Sequence, residues 1–255
     1  MGILSINIIM ILPNYRQIKK LMHFANAQVV TRDLFLEGAF VDIHKPKHIV
    51  EMGSCFGGMA IYFDQYLKSP YAYNKHQSLF FTLIENFSGA EWNQDLTEAQ
   101  NSKILQDILT EKKMSIPYNI VTNNSLDSLD KGYDVFRYDG YSYYNVFRNY
   151  LDKADENSII IIHDFNFNLE VTPIFFAMKY TIESNLYPIL FGKMTSIWTK
   201  SKNYKSYITN EFIKIYGADN LKTSCLEVKY RPHYDWKFTE NNVLDFNNAL
   251  VSRGD

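Results

Sequence analysis

The chain has 255 residues, 46% of them hydrophobic and 21% charged, which is enough apolar material for one large α/β domain and excludes disorder by composition. A net charge of −2 lacks the basic surplus of a dedicated nucleic-acid binder. The two cysteines, Cys55 and Cys225, are too few and too far apart for a disulfide framework or a CxxC metal site, so they read as reduced thiols of a cytoplasmic protein.

Ile3–Leu12 is apolar but only about half the length of a membrane span, and it lacks the flanks of a signal peptide. It reads as a buried segment or a surface for homo-oligomer formation. Residues 14–42 follow as helical and partly amphipathic, ending near the turn-forming Lys45-Pro46. His48–Met52 is a short β-type run that leads straight into Gly53. Met59–Leu67 then carries apolar residues at helical spacing. Leu79–Glu85 is a continuous apolar run closed by an acid, as in a strand buried on both faces. Thr97–Lys113 is a helix with Thr97 as its N-cap and an apolar face of Ile104, Leu105, Ile108 and Leu109.

Tyr118–Thr122 and Tyr133–Tyr138 are strands, and Tyr143–Leu151 is a helix. Ser158–Ile162 is the strongest strand and stops at His163-Asp164. Residues 173–184 form a helix opened by Pro173, and Tyr187–Phe191 with Ser196–Thr199 flank a tight turn at Gly192-Lys193. Tyr204–Tyr216 has helical spacing. Strands alternating with helices predict a doubly wound, mostly parallel sheet, and the closing pair makes its last edge antiparallel. Residues 46–200 form the core of this α/β domain, with an N-terminal extension over 1–45 and a C-terminal extension over 201–255 packed on it.

Ligands of such sheets sit at the carboxyl ends of the strands, where the order reverses. Those ends carry Glu51 and Gly53, Glu85, Asn124 and Ser125, Asp139 and Gly140, and His163 and Asp164. Glycine lets backbone approach a ligand, and a carboxylate can accept both hydroxyls of a ribose. In the first turn, Gly53-Ser54-Cys55-Phe56-Gly57-Gly58, Cys55 stands where a dinucleotide GxGxxG motif needs its second glycine, and no GK[ST] of a P-loop follows. A nucleotide-dependent oxidoreductase on the same sheet is thereby disfavoured.

The turn instead resembles the E/DxGxxxG motif of class I S-adenosylmethionine (SAM)-dependent methyltransferases. Glu85 is similar to that family's ribose-binding acid at the end of the second strand. Asp139-Gly140-Tyr141-Ser142-Tyr143-Tyr144 resembles the DGxHxY motif of a subgroup of small-molecule O-methyltransferases, with Ser142 in place of histidine. SIIIIHDF resembles the fifth strand of that subgroup. The resemblance spans residues 35–200 and implies a Rossmann-like, seven-stranded fold. It also implies SAM as cofactor, held by Glu51, Gly53, Ser54, Gly57, Gly58, Glu85, Asn124, Ser125 and Asp139.

Methyl transfer is a displacement at a sulfonium, so the protein's task is to align the reactants and to remove the acceptor's proton. In metal-dependent relatives, acids at the ends of strands four and five hold a divalent cation. The resemblance therefore implies Mg²⁺ on Asp139 and Asp164, and Asn166, two residues on, is a candidate third ligand from the sequence itself; the alternative is that Asp164 caps and Asp139 shapes a turn. His163 is suited to act as general base. Side chains alternate along a strand, so if Asp164 faces the cleft His163 is a packing residue instead. Tyr141, Tyr143 and Tyr144 are candidates for an acceptor pocket or for packing, and His76 and Lys75 lie in a loop that could border the cofactor.

The sequence thus predicts a SAM-dependent methyltransferase acting on a hydroxyl of a small molecule or sugar, with no nucleic-acid or membrane partner. Ser142 leaves open a SAM-binding domain that does not methylate.

Overall fold

The computed structural model of the chain describes residues 15–27, 29, 31–74, 78–87, 92–122, 129, 132–139, 144–163, 177, 180–181, 183–192 and 195–222. The apolar segment Ile3–Leu12, Lys75 and His76, Asn124 and Ser125, Gly140 to Tyr143, Asp164, Asn166, Pro173, Lys193 and Cys225 lie outside the described residues. Among the described residues no helix is long and apolar enough to cross a membrane.

Seven strands form one sheet in the order β3-β2-β1-β4-β5-β7-β6. They are β1 His48–Met52, β2 Phe80–Glu85, β3 Tyr118–Thr122, β4 Tyr133–Tyr138, β5 Ala154–His163, β6 Tyr187–Phe191 and β7 Thr195–Thr199. β1 to β5 pair in parallel, and β7 runs antiparallel to both β5 and β6. This is the doubly wound sheet with an antiparallel closing strand that the alternating pattern predicts. Its order reverses between β1 and β4, because the chain leaves the sheet at the β3 edge and re-enters beside β1.

Strand residues alternate between two apolar layers, as a period of two demands. Ile49, Val135, Ile159 and Ile161 face one cluster with α1 Tyr15–Ala25, α2 Thr31–His44, α3 Gly58–Lys68, α4 Glu98–Glu111 and α6 Lys202–Tyr216. Val50, Phe136, Ile160 and Ile162 face the other, with Phe147, Tyr150 and Leu151 of α5 Tyr144–Lys153. Ile159 to Ile162 are fully buried, and each contributes roughly 1.5–3 kcal/mol by leaving water.

Three local features depart from the sequence expectation. The segment read as one helical stretch over 14–42 holds two helices, Tyr15–Ala25 and Thr31–His44, and only α1 is amphipathic: α2 is buried at every residue from Asp33 to Ile43. It lies under the sheet face and is covered in turn by α6, where Phe40 stacks on Phe212 at 4.8 Å. β5 begins at Ala154, four residues before the expected start, because exposed Asp155, Glu156 and Asn157 continue the extended backbone after a register shift against β4. Ile104 is 37% exposed, so the buried face of α4 is Leu105 and Leu109. Thr97 does cap α4, in a capping box with Gln100.

Candidate functional site at the carboxyl ends of β1, β4 and β5

The turn after β1 is built by backbone geometry. Gly53 and Gly57 have φ of 79° and 74°, and Cys55 between them also lies in the left-handed region. The Gly53 N–H donates to the Ile84 carbonyl at 3.0 Å, and the Gly57 N–H to the Ser54 carbonyl at 2.7 Å. Ser54 is buried and donates its hydroxyl to the Glu51 carbonyl at 3.2 Å. Gly57 and Gly58 open α3 at points of close packing. A Cβ on Gly57 would lie 2.6 Å from Leu109 Cδ2, and one on Gly58 would lie 3.0 Å from the Asn26 carbonyl oxygen.

Glu85 stands at the end of β2, as expected, and closes the turn from the other side. Its carboxylate accepts the N–H groups of Cys55 at 2.6 Å, Asn86 at 3.0 Å and Phe87 at 3.2 Å. Glu85 therefore holds the glycine turn to β2.

On the α2 side of the sheet, β1, β4 and β5 converge in a buried polar network. Its centre is Arg137, fully buried in β4 and in register with Glu51 of β1. The Arg137 Nε–H donates to Glu37 Oε2 at 3.1 Å, and Nη1 donates to Glu51 Oε1 at 3.0 Å and to Asp139 Oδ2 at 2.8 Å. Asp139 Oδ1 accepts from His163 Nδ1 at 3.0 Å. Glu37 Oε1 accepts the Thr195 hydroxyl at 2.6 Å, and Asp33, one turn earlier on α2, accepts the Thr195 N–H at 3.1 Å.

The electrostatics follow from gathering two buried carboxyl groups, Glu37 and Glu51, and the partly buried Asp139 around one guanidinium. Burial pushes the Glu51 carboxyl up to about 8, against the pull of Arg137, so it is protonated at neutral pH. Burial acts to raise Asp139 too, but the Arg137 charge and the His163 hydrogen bond outweigh it and hold the group well below the usual carboxylate range. Burial opposes a charge on His163, yet the hydrogen bond and charge of Asp139 prevail and the imidazole is pushed up. Glu51 Oε2 and Arg137 Nη2 are buried and have no hydrogen-bond partner among the described residues.

Of the predicted site residues, Glu51, Gly53, Ser54, Asp139 and His163 come together at the β1–β4–β5 ends, with Glu85 across the turn. Glu37, Arg137 and Thr195 were missed. A signal for Arg137 was present: a charge inside an apolar run must be paired if the run is a buried strand. Asp33 and Glu37, four apart in a segment read as amphipathic, gave no comparable sign.

No protein-family model and no curated protein sequence matches the chain. Solved structures do. An SAH-bound methyltransferase from Podospora anserina is 12% identical, with 74% of this chain aligned to 88% of that one at a TM-score of 0.49. An O-methyltransferase from Bacillus cereus in complex with SAH is 12% identical over 73% of this chain and 90% of that one, at a TM-score of 0.49. An O-methyltransferase from Streptomyces achromogenes involved in tomaymycin synthesis, in complex with SAM, is 12% identical over 72% and 86%, at 0.46.

The described donors do not suit a hard divalent cation. Both Asp139 oxygens are engaged, and the Arg137 guanidinium lies 2.8 Å from one of them. A dication on Asp139 would face that fixed positive charge. Among the described residues no group of three or more His, Cys, Asp or Glu is placed to hold a metal ion.

Proposed function

We propose that this protein is a SAM-dependent methyltransferase acting on a hydroxyl group of a small molecule or sugar. The observation that carries the reading is the topological switch point between β1 and β4, where sheets of this kind form a ligand crevice. The sheet order reverses there, and the ExGxxxG turn meets Asp139, whose N–H donates to the Met52 carbonyl at 2.8 Å.

The residues present fit the cofactor. The left-handed turn at Gly53 brings backbone rather than side chain to the crevice, and Glu85 stands beside that turn at the end of β2 as the proposed ribose-binding acid. Unpaired atoms on Glu51 and Arg137 would be satisfied by the cofactor's polar groups. Asn124 and Ser125 complete the proposed cofactor set. When bound, SAM supplies a methyl group on a positively charged sulfur.

Asp139 orients His163 by accepting from Nδ1, so the acceptor's proton would be taken at Nε2. Asp139, held ionised by Arg137, stabilises the imidazolium that forms. Asp164, next in the chain after His163, stays in the proposal as a catalytic acidic residue. The neutral overall balance suits a small acceptor rather than a polyanion.

Titration calorimetry of the full chain with SAM and with SAH tests the first half, and absence of heat at millimolar ligand overturns it. Transfer from methyl-labelled SAM to a panel of phenols, alcohols and sugars tests the second half.

A further inference from the structure

Arg137, one residue from the end of β4, is a buried charge in a strand whose other buried residues are apolar. A core at this point could be built by replacing the whole buried network with apolar side chains, a change often neutral or stabilising, whereas losing the guanidinium alone would leave Glu37 buried without its ion pair. What the guanidinium does is divide one carboxylate. Asp139 Oδ2 takes Arg137 Nη1 and Oδ1 takes His163 Nδ1, so the plane of the carboxylate, and through it the imidazole ring, is set from both sides. The guanidinium is itself held by Glu37 and Glu51, and Glu37 by the hydroxyl of Thr195.

Thr195 is the register partner of His163 across β5 and β7. The contacts therefore close into a ring: His163 to Asp139, to Arg137, to Glu37, to Thr195, and back to His163 across the sheet. We propose that Arg137, locked by Glu37 and Thr195, is the positioning residue that fixes the Asp139–His163 pair. The use of that pair as proton acceptor rests on the methyltransferase reading; the ring itself does not.

Lysine cannot replace Arg137, because a point charge on a flexible stem cannot span Glu37 and Asp139 as the planar fork does. The Thr195 end allows a gentler perturbation. Thr195→Val keeps the shape and removes the hydroxyl, whereas Thr195→Ser keeps the hydroxyl.

The experiment is proton NMR of the ¹⁵N-labelled full chain, following the downfield Nδ1–H resonance of His163, assigned by its loss in His163→Gln. The resonance is expected in the wild type and in Thr195→Ser. It is expected to exchange with water about tenfold faster or more in Thr195→Val and Glu37→Gln, and to vanish in Arg137→Lys. Wild-type exchange in Thr195→Val, Glu37→Gln and Arg137→Lys alike overturns the proposal, and the threonine and glutamate variants decide the matter if Arg137→Lys does not fold. Calorimetry with SAM on the same samples separates the two readings. A responsive resonance with no SAM binding sinks the function and keeps the ring, and SAM binding with an unresponsive resonance does the reverse.

Discussion

The Thr195 hydroxyl donates to Glu37 Oε1 at 2.6 Å, joining the closing strand of the sheet to a helix 158 positions earlier in the chain. Both residues are buried, and the contact continues through Arg137 to the strand ends. Helix α2 before β1 and strand β7 are thus tied by hydrogen bonds to the candidate site. Substitutions in either should be felt at Asp139.

Glu51 makes stability depend on pH. Its carboxyl is at about 8 in the folded chain, against an ordinary value of 4.5, so between those values the folded state keeps a proton that the unfolded state has lost. Its contribution therefore falls as pH rises from 4.5 to 8 and is level above that. Glu51→Gln should remove this slope. Urea unfolding at pH 6 and pH 8.5 should show the variant gaining on the wild type at the higher pH, and parallel curves would contradict the assignment.

His163 is pushed above 6.5 because Asp139 outweighs burial. In Asp139→Asn burial and the Arg137 charge are opposed only by the weaker pull of Glu37, and the titration of His163, followed by its ring proton shifts, should move below 6.5. The raised value in the wild type stabilises the fold fully below the unfolded value near 6.5, and that contribution is lost as pH rises through the folded value. The stability gap between the wild type and Asp139→Asn should accordingly narrow from pH 6 to pH 9.

Gly57 is fixed by space as well as by conformation. Alanine there would adopt φ near 74° and press its Cβ into the fully buried Leu109. Gly57→Ala should lose about 2–4 kcal/mol of stability. Pairing it with Leu109→Ala should cost less than the sum of the two single changes, because the collision is relieved; strict additivity in denaturant unfolding would refute the contact.

Asp64, fully buried on α3, accepts the N–H of Ser115 at 3.1 Å and of Ile116 at 2.9 Å and pairs with Lys68. Asp64→Ala strands both donors where the chain enters β3, and should lower stability by about 2–4 kcal/mol. Lys68→Ala, which removes only a half-exposed partner, should stay within about 1 kcal/mol. Denaturation midpoints with unchanged slopes would check both.

The elements themselves were legible in the sequence, because they rest on local properties. β1, β3, β4 and β6 have the bounds that their apolar runs predict, and the ExGxxxG turn stands where it was expected. Short-range rules act on neighbours: period, capping at Thr97, and positive φ at glycine. The start of β5 was missed because its first residues are polar and exposed.

By itself, then, the sequence determined the parallel α/β sheet and its one antiparallel closing strand, though it placed that strand at the edge and the structure places it between β5 and β6. It also determined the residues standing at the strand ends. Only the tertiary structure decided what those residues are bound to. Glu37 and Arg137 are 100 positions apart and meet because α2 is pressed between the sheet and α6. Asp139 and His163 meet because β4 and β5 are neighbours in register. Burial sets the charge of each, and burial belongs to the folded chain: the same glutamate that is an ordinary acid in solution keeps its proton at position 51 because water has been removed from around it.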